Sequence, residues 1–225
     1  MLMKISILYE DNHILVVEKP VNVPVQEDSS KDADLLTILK DDLKIRYNKP
    51  GNVYLGLVHR LDRPVGGVMV FAKTSKAAAR LSDVIRKGEL ERRYVAVVRG
   101  VPQKKKAILE HYLFKDTKKN KVSAVAANHA NAKKAVLDYE TINSTDQLSF
   151  LSIRLHTGRS HQIRVQLSTS SFPLYGDQKY GQHVNQPGQQ IALWAHVLEF
   201  PHPTTKELIR VQSSPPNEYP WNLWP

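Results

Sequence analysis

The sequence predicts an α+β fold: a single domain over residues 1–225, built on a central mixed, mainly antiparallel sheet with flanking helices. Two observations carry this. Short runs that alternate, or that are rich in β-branched residues, recur along the chain and outnumber stretches with helical spacing. No internal repeat, low-complexity tract or long linker divides the chain.

Each element has its own signal. Ile5-Ser6-Ile7-Leu8-Tyr9-Glu10 and Ile14-Leu15-Val16-Val17 flank Asp11-Asn12, which is hairpin chemistry, and the second run ends at Lys19-Pro20. Asp34-Leu35-Leu36-Thr37-Ile38-Leu39 begins a short helix-like stretch, after which Asn48-Lys49-Pro50-Gly51-Asn52 breaks the pattern. Val68-Met69-Val70-Phe71-Ala72-Lys73 reads as a half-buried strand. A helix follows it: Thr74 or Ser75 caps it, Ala78, Leu81, Val84 and Ile85 recur at helical spacing, and Gly88 ends it. Arg93 to Val98 is strand again, with Tyr94, Ala96 and Val98 on one face.

Residues 102–124 differ in composition. Lys104, Lys105, Lys106, Lys115, Lys118, Lys119 and Lys121 surround the apolar island Leu109 to Phe114, the pattern of a hairpin excursion with a basic tip. Val136 to Thr141 and Leu151 to Leu155 alternate strictly and read as paired strands. Thr157-Gly158-Arg159 then turns the chain into His161 to Leu167, where periodicity fits helix and strand alike. Ser160 as a cap favours a helix start.

Composition narrows the function. The net charge of +10 favours a polyanionic partner or an anionic membrane surface. No run approaches the roughly 18 apolar residues of a membrane span, and the N-terminal residues lack the apolar region of a secretory signal. Cysteine is absent, which removes disulfides, thiolate metal sites and cysteine nucleophiles and fits a cytoplasmic protein. His196 and His202 lie too far apart in sequence for a helical pair, and no His-x-x-x-His sits on a helical stretch, so no metal is expected.

One segment concentrates chemistry. His59-Arg60-Leu61-Asp62-Arg63-Pro64-Val65-Gly66-Gly67 sets a single carboxylate between two guanidiniums, after a histidine and before a turn and a strand. A carboxylate among positive charges stays ionised, and a turn before a rigid strand is a common seat for a reactive group. Taken alone, the segment fits a surface salt-bridge cluster equally well.

The segment and the strand after it resemble the signature of the RluA-type pseudouridine synthases, which isomerise uridine in ribosomal or transfer RNA. The resemblance extends from about Ile7 to about Pro216. Lys19-Pro20, Arg93-Tyr94-Val95-Ala96-Val97-Val98-Arg99-Gly100 and Gly158-Arg159-Ser160-His161-Gln162-Ile163-Arg164-Val165 are similar to further motifs, in the family's order. So are Tyr175-Gly176-Asp177 with Tyr180-Gly181, and Ala195-His196 leading to Phe200-Pro201-His202-Pro203. The resemblance implies a central sheet with a cleft across it. It also leaves no room for the separate N-terminal, S4-like RNA-binding domain that many relatives carry, because catalytic-type sequence begins within about ten residues.

It further implies roles. Uridine isomerisation breaks the N1–C1′ bond, turns the uracil and rejoins it through C5, and a carboxylate suits either work at an electron-deficient sugar carbon or removal of a sugar proton. Asp62 matches the family's essential aspartate. Arg164 matches the arginine that pairs with it, although on sequence alone Arg60, Arg63 and Arg159 compete for that position. Arg60 matches the residue that fills the gap left by a flipped base. Tyr94, which on periodicity alone is a core tyrosine, matches the residue placed against the target uracil to take its C5 proton. Ile163 and Leu167 fit either walls for the uracil face or core. His59 and His161 read as hydrogen-bonding braces, and Lys118, Lys119 and Lys121 as phosphate contacts or a solvated loop. The expected protein is a monomer acting on ribosomal or transfer RNA without metal or cofactor.

Two departures stand out. Pro64-Val65-Gly66-Gly67 replaces the family's usual Asp-Thr-Ser-Gly, and Gln166 stands where histidine is common. Asp62, Tyr94 and Arg164 are all present, which weighs against the alternative of an RNA-binding protein that keeps the fold without catalysis. The likeness of His59-Arg60-Leu61-Asp62 to a kinase catalytic loop finds neither a glycine-rich phosphate loop nor Asp-Phe-Gly to support it.

Overall fold

A computed structural model describes residues 3–224. The chain forms two compact units, residues 1–91 with 195–215, and residues 92–194 with 216–225.

In the first unit, β1 (Ser6–Glu10) and β2 (Ile14–Lys19) form the expected antiparallel hairpin. Asp11 makes its turn by accepting from the His13 and Ile14 amides at 2.7 and 2.8 Å. Helix α1 (Leu35–Arg46) is a full three turns, longer than the apolar run suggested. Asp34 caps it, its carboxylate accepting from the Thr37 amide at 3.1 Å. After β3 (Gly56–Leu57) comes β4 (Gly66–Ala72), which pairs antiparallel with β2, Val16 opposite Val70 and Lys19 opposite Gly67. Helix α2 (Ser75–Lys87) runs from a Thr74 cap to Gly88 in the left-handed region at φ 76°, as its sequence predicts. The sheet order here is β1-β2-β4-β10, where β10 is Leu193–Pro201 and β11 (Leu208–Gln212) pairs with it.

Register explains the core. Ile14 and Val16 on β2, Val68, Val70 and Ala72 on β4, and Leu198 and Phe200 on β10 form one cluster with Ala77, Leu81 and Val84 of α2. Each fully buried leucine in such a cluster contributes about 1.5–3 kcal/mol. Strand β4 departs from expectation: all seven residues are buried, not half of them. Its run has no polar residue on either face, the pattern of a strand covered on both sides.

In the second unit the order is β5-β9-β8-β6-β7, with every neighbouring pair antiparallel. These strands are β5 (Glu91–Arg99), β6 (Lys106–Asp116), β7 (Lys121–Val125), β8 (Lys133–Ser144) and β9 (Leu148–Leu155). The expected hairpin excursion is β6–β7, with Asp116 opposite Lys121 and Thr117 to Asn120 at its tip. Helix α3 (Gln162–Thr169) packs under that hairpin, Val165 meeting Leu113, Val122 and Ala135. The expected Ser160 cap is corrected: the N-cap is His161, in the left-handed region at φ 51° and ψ 23°, and its side chain makes no capping bond. Ser160 sits one residue too early, because the turn from Arg159 closes on Gln162.

Candidate active site and basic hairpin

The first unit carries Asp62 on the turn before β4. The Val65 amide donates to the Asp62 carbonyl at 3.0 Å, closing the turn and presenting a partly exposed carboxylate. His59 braces the adjoining strand: its Nε2 accepts from the Val70 amide at 3.1 Å, which puts the ring proton on Nδ1. Gly67 is required by geometry. It lies at φ 115°, and a Cβ there would fall 2.2 Å from the Ala195 carbonyl oxygen. The loss of the usual hydroxyls before it therefore leaves the turn's one indispensable residue in place.

Beneath this turn lies a residue whose task no local pattern announces. Lys19 is fully buried, and its ammonium donates to the carbonyls of Pro20, Val23 and Arg63 at 2.7, 2.8 and 2.9 Å. Three acceptors match the three protons that only the charged amine supplies. Burial pulls the Lys19 amine down to about 7, against the attraction of the Asp62 carboxylate and with the repulsion of Arg63. One lysine thus ties the end of β2 to the Asp62 turn. Its signal was a lysine ending an otherwise apolar buried strand, immediately before a proline.

The flanking arginines differ. Arg60 is exposed, with Nη1 3.4 Å from the Gln26 side-chain oxygen. Arg63 is held by the loop before α1: Nη2 to Asp32, Nη1 to Ser30 Oγ at 2.9 Å, and Nε to the Asn22 carbonyl at 3.1 Å. Its guanidinium organises that loop.

The second unit carries Tyr94, Arg159, His161, Ile163, Arg164 and Leu167. Tyr94 is buried on β5, opposite Ile153 of β9. Ile163 and Leu167 are 4% and 0% exposed, so both are core of this unit. Gln162 anchors the start of α3: its side-chain oxygen accepts from Thr157 Oγ1 at 2.8 Å and the Arg159 amide at 2.9 Å, while its Nε2 donates to the Val136 carbonyl at 3.1 Å. Arg159 is exposed and donates from Nε to the Lys134 carbonyl at 3.0 Å. Gln166 is fully buried and ties α3 to the sheet through the Leu109 and Ala135 carbonyls at 2.9 and 3.2 Å.

Arg164 makes a buried ion pair in this unit. Its Nε and Nη2 donate to Asp177 Oδ2 and Oδ1 at 2.9 and 2.8 Å, a two-pronged pair buried on both sides. Burial raises the Asp177 carboxyl. The hydrogen bonds and charge of Arg164, with the Lys179 and Tyr180 amides, more than offset this and hold it below the usual carboxylate range. Sequence reasoning noted the Tyr175-Gly176-Asp177 motif without giving the aspartate a task.

The hairpin tip projects basic residues. Lys118, Lys119 and Lys121 are exposed, and the Lys119 amide donates to Asp116 Oδ1 at 3.1 Å to shape the turn. Such a tip concentrates exposed positive charge.

Comparison with known proteins converges on one family. The family model described as RNA pseudouridylate synthase matches residues 13–169. The chain is 34% identical over 176 residues to ribosomal large subunit pseudouridine synthase C of Buchnera aphidicola, covering 78% of this chain and 53% of that protein. It is 31% identical to ribosomal large subunit pseudouridine synthase D of Haemophilus influenzae, covering 96% and 68%, and 28% identical to tRNA pseudouridine synthase C of Haemophilus ducreyi, covering 94% and 91%. In fold it is similar to human RNA pseudouridylate synthase domain containing 4, with a TM-score of 0.78 at 23% identity over 94% of this chain and 88% of that one. The chain thus spans about half the length of the Buchnera relative and about two thirds of the first Haemophilus one.

Proposed function

The chain belongs to the RNA pseudouridylate synthase family, and from that premise we propose that it converts specific uridines of ribosomal or transfer RNA to pseudouridine with Asp62 as the catalytic carboxylate. The reaction cleaves N1–C1′ and forms C5–C1′; C5 gives up its proton and N1 regains one, so nothing enters or leaves. Asp62 acts on the sugar as the glycosidic bond breaks. Arg164 is its cation, Tyr94 takes the C5 proton, and Arg60 occupies the stack vacated by the flipped base. The hairpin lysines hold phosphates. The protein works as a cytoplasmic monomer without metal or cofactor.

One observation carries this reading: the turn that presents Asp62 is held in shape by the buried Lys19 ammonium and by Gly67, within the matched segment. The test incubates purified protein with total RNA from cells lacking it and maps new pseudouridines by chemical tagging. New sites that vanish with Asp62→Asn support the reading. RNA binding with no new site would instead fit a non-catalytic RNA-binding protein.

A further inference from the structure

Tyr180 touches both Arg164 and the carboxylate that grips it. Its ring lies 5.2 Å from the Arg164 guanidinium carbon, within cation–π range. Its amide donates to Asp177 Oδ1 at 3.1 Å, beside the Lys179 amide at 2.9 Å, so it supports the carboxylate that grips Arg164. Its carbonyl accepts from Ser168 Oγ of α3 at 2.6 Å. Its hydroxyl accepts from the Val122 amide of β7 at 3.0 Å and lies 2.6 Å from His161 Nδ1.

A phenol has one proton. The Val122 N–H donates to this oxygen, and one short hydrogen bond joins the same oxygen to His161 Nδ1, its direction set by the imidazole tautomer. That bond accounts for the unusual N-cap. A non-glycine residue at φ 51° is disfavoured by sterics, and the His161 side chain makes no capping bond while its Nδ1 meets the Tyr180 hydroxyl. Val122 directly follows Lys121, so the same oxygen is braced by the backbone of the basic hairpin.

We propose that Tyr180 is a positioning residue for Arg164, and that its hydroxyl makes the basic hairpin and His161 part of the arginine's mounting. The inference deepens the proposed function and rests on its assignment of Arg164 to the reaction. The hydroxyl fixes the ring, the ring and the amide fix the Arg164–Asp177 pair, and loosening the first loosens the last. A displacement of about 1 Å at a catalytic group is enough to slow chemistry substantially.

The test compares wild type with Tyr180→Phe, which removes only the hydroxyl. Turnover is read as tritium release from total RNA carrying tritium at uridine C5, prepared from cells lacking this protein; hydrogen exchange at Arg164 Nε is followed by NMR. Tyr180→Phe should lower kcat about tenfold with KM within twofold, and exchange at Arg164 Nε should quicken. His161→Ala should behave alike. His161→Asn, which tolerates the left-handed backbone and offers an oxygen to the phenol, should recover most of the loss. If Tyr180→Phe fails to fold, the His161 pair decides the matter. A Tyr180→Phe kcat within twofold of wild type, with Asp62→Asn inactive, overturns the inference and leaves the functional reading standing. If wild type releases no more tritium than Asp62→Asn, the functional reading falls and exchange alone decides: unchanged exchange overturns the mounting.

Discussion

Arg164 and Asp177 form a buried two-pronged ion pair thirteen residues apart, with side chains 9% and 1% exposed. Asp177 is therefore a residue that fixes the Arg164 guanidinium in place. Asp177→Asn keeps the shape and removes the charge, taking the buried anion away from the guanidinium. The expected loss is about 3–5 kcal/mol in urea unfolding at pH 7. Asp177 titrates below its unfolded value, so its contribution is present above the unfolded pKa of about 3.9 and is lost as pH falls through the folded one. The stability gap between wild type and Asp177→Asn should therefore narrow progressively as pH falls below about 4. A gap that stays constant from pH 7 down through the acid range would show that the carboxylate charge is not what stabilises the pair.

Substituting the arginine separates charge from geometry. Arg164→Met leaves Asp177 buried and unpaired and should cost both stability and activity. Arg164→Lys restores the charge without the planar fork that meets both carboxylate oxygens, and should recover little. Full turnover in the lysine variant would show that this position supplies charge alone.

Asp62 should behave in the opposite way. Its carboxylate is partly exposed on a turn held by backbone and by Lys19. Asp62→Asn should abolish isomerisation while changing stability by no more than about 1 kcal/mol. Turnover within tenfold of wild type, about 1.4 kcal/mol of barrier, would remove Asp62 from the chemistry.

These residues show what a sequence reveals and where it falls silent. The β1–β2 hairpin, the cap and end of α2 and the β6–β7 excursion were legible because turn residues and periodicity are local signals. Asp62 was legible because it is the only acid in a dense cationic segment. The tasks of Lys19, Asp177 and Tyr180 were not, because each is defined by partners distant in sequence: Lys19 by the Arg63 carbonyl, Asp177 by Arg164, Tyr180 by Val122. The start of α3 was misplaced by one residue because His161 bonds Tyr180 in place of a local cap. Helix α2 covers the Val68, Val70 and Ala72 face of β4, and Met69 and Phe71 on the other face are buried as well, which alternation within the strand does not encode.

Lys19 should give the protein an unusual pH dependence. Lys19→Met leaves three carbonyls without their donor and should destabilise by a few kcal/mol, at about 1–3 kcal/mol per unsatisfied group. In wild type the folded amine releases its proton near 7 and the unfolded one near 10.4, so between these values the unfolded state binds more protons. Stability should therefore rise with pH across that window, by up to about 1.4 kcal/mol per unit. Denaturation at pH 7 and pH 9 should show this rise in wild type and its absence in Lys19→Met. An identical pH dependence in the two would show that Lys19 stays charged throughout.

The hairpin lysines are a separate question from the chemistry, because their charges sit at an exposed tip and contribute little to the fold. If Lys118, Lys119 and Lys121 hold phosphates, binding releases counterions, and affinity must fall with salt by about 0.7–0.9 in log–log slope per contact. Changing all three to Gln should flatten the slope by about two to three contacts and raise KM, with kcat at saturation little changed. Intact folded RNA should feel the change more than a short stem-loop, because only the larger molecule brings distant phosphates to the tip. The measurement is a salt titration of binding alongside steady-state kinetics on both RNAs. Slope and KM that both stay unchanged would make the lysines an ordinary solvated tip and move the RNA-holding role to other cations, with exposed Arg159 the first to test.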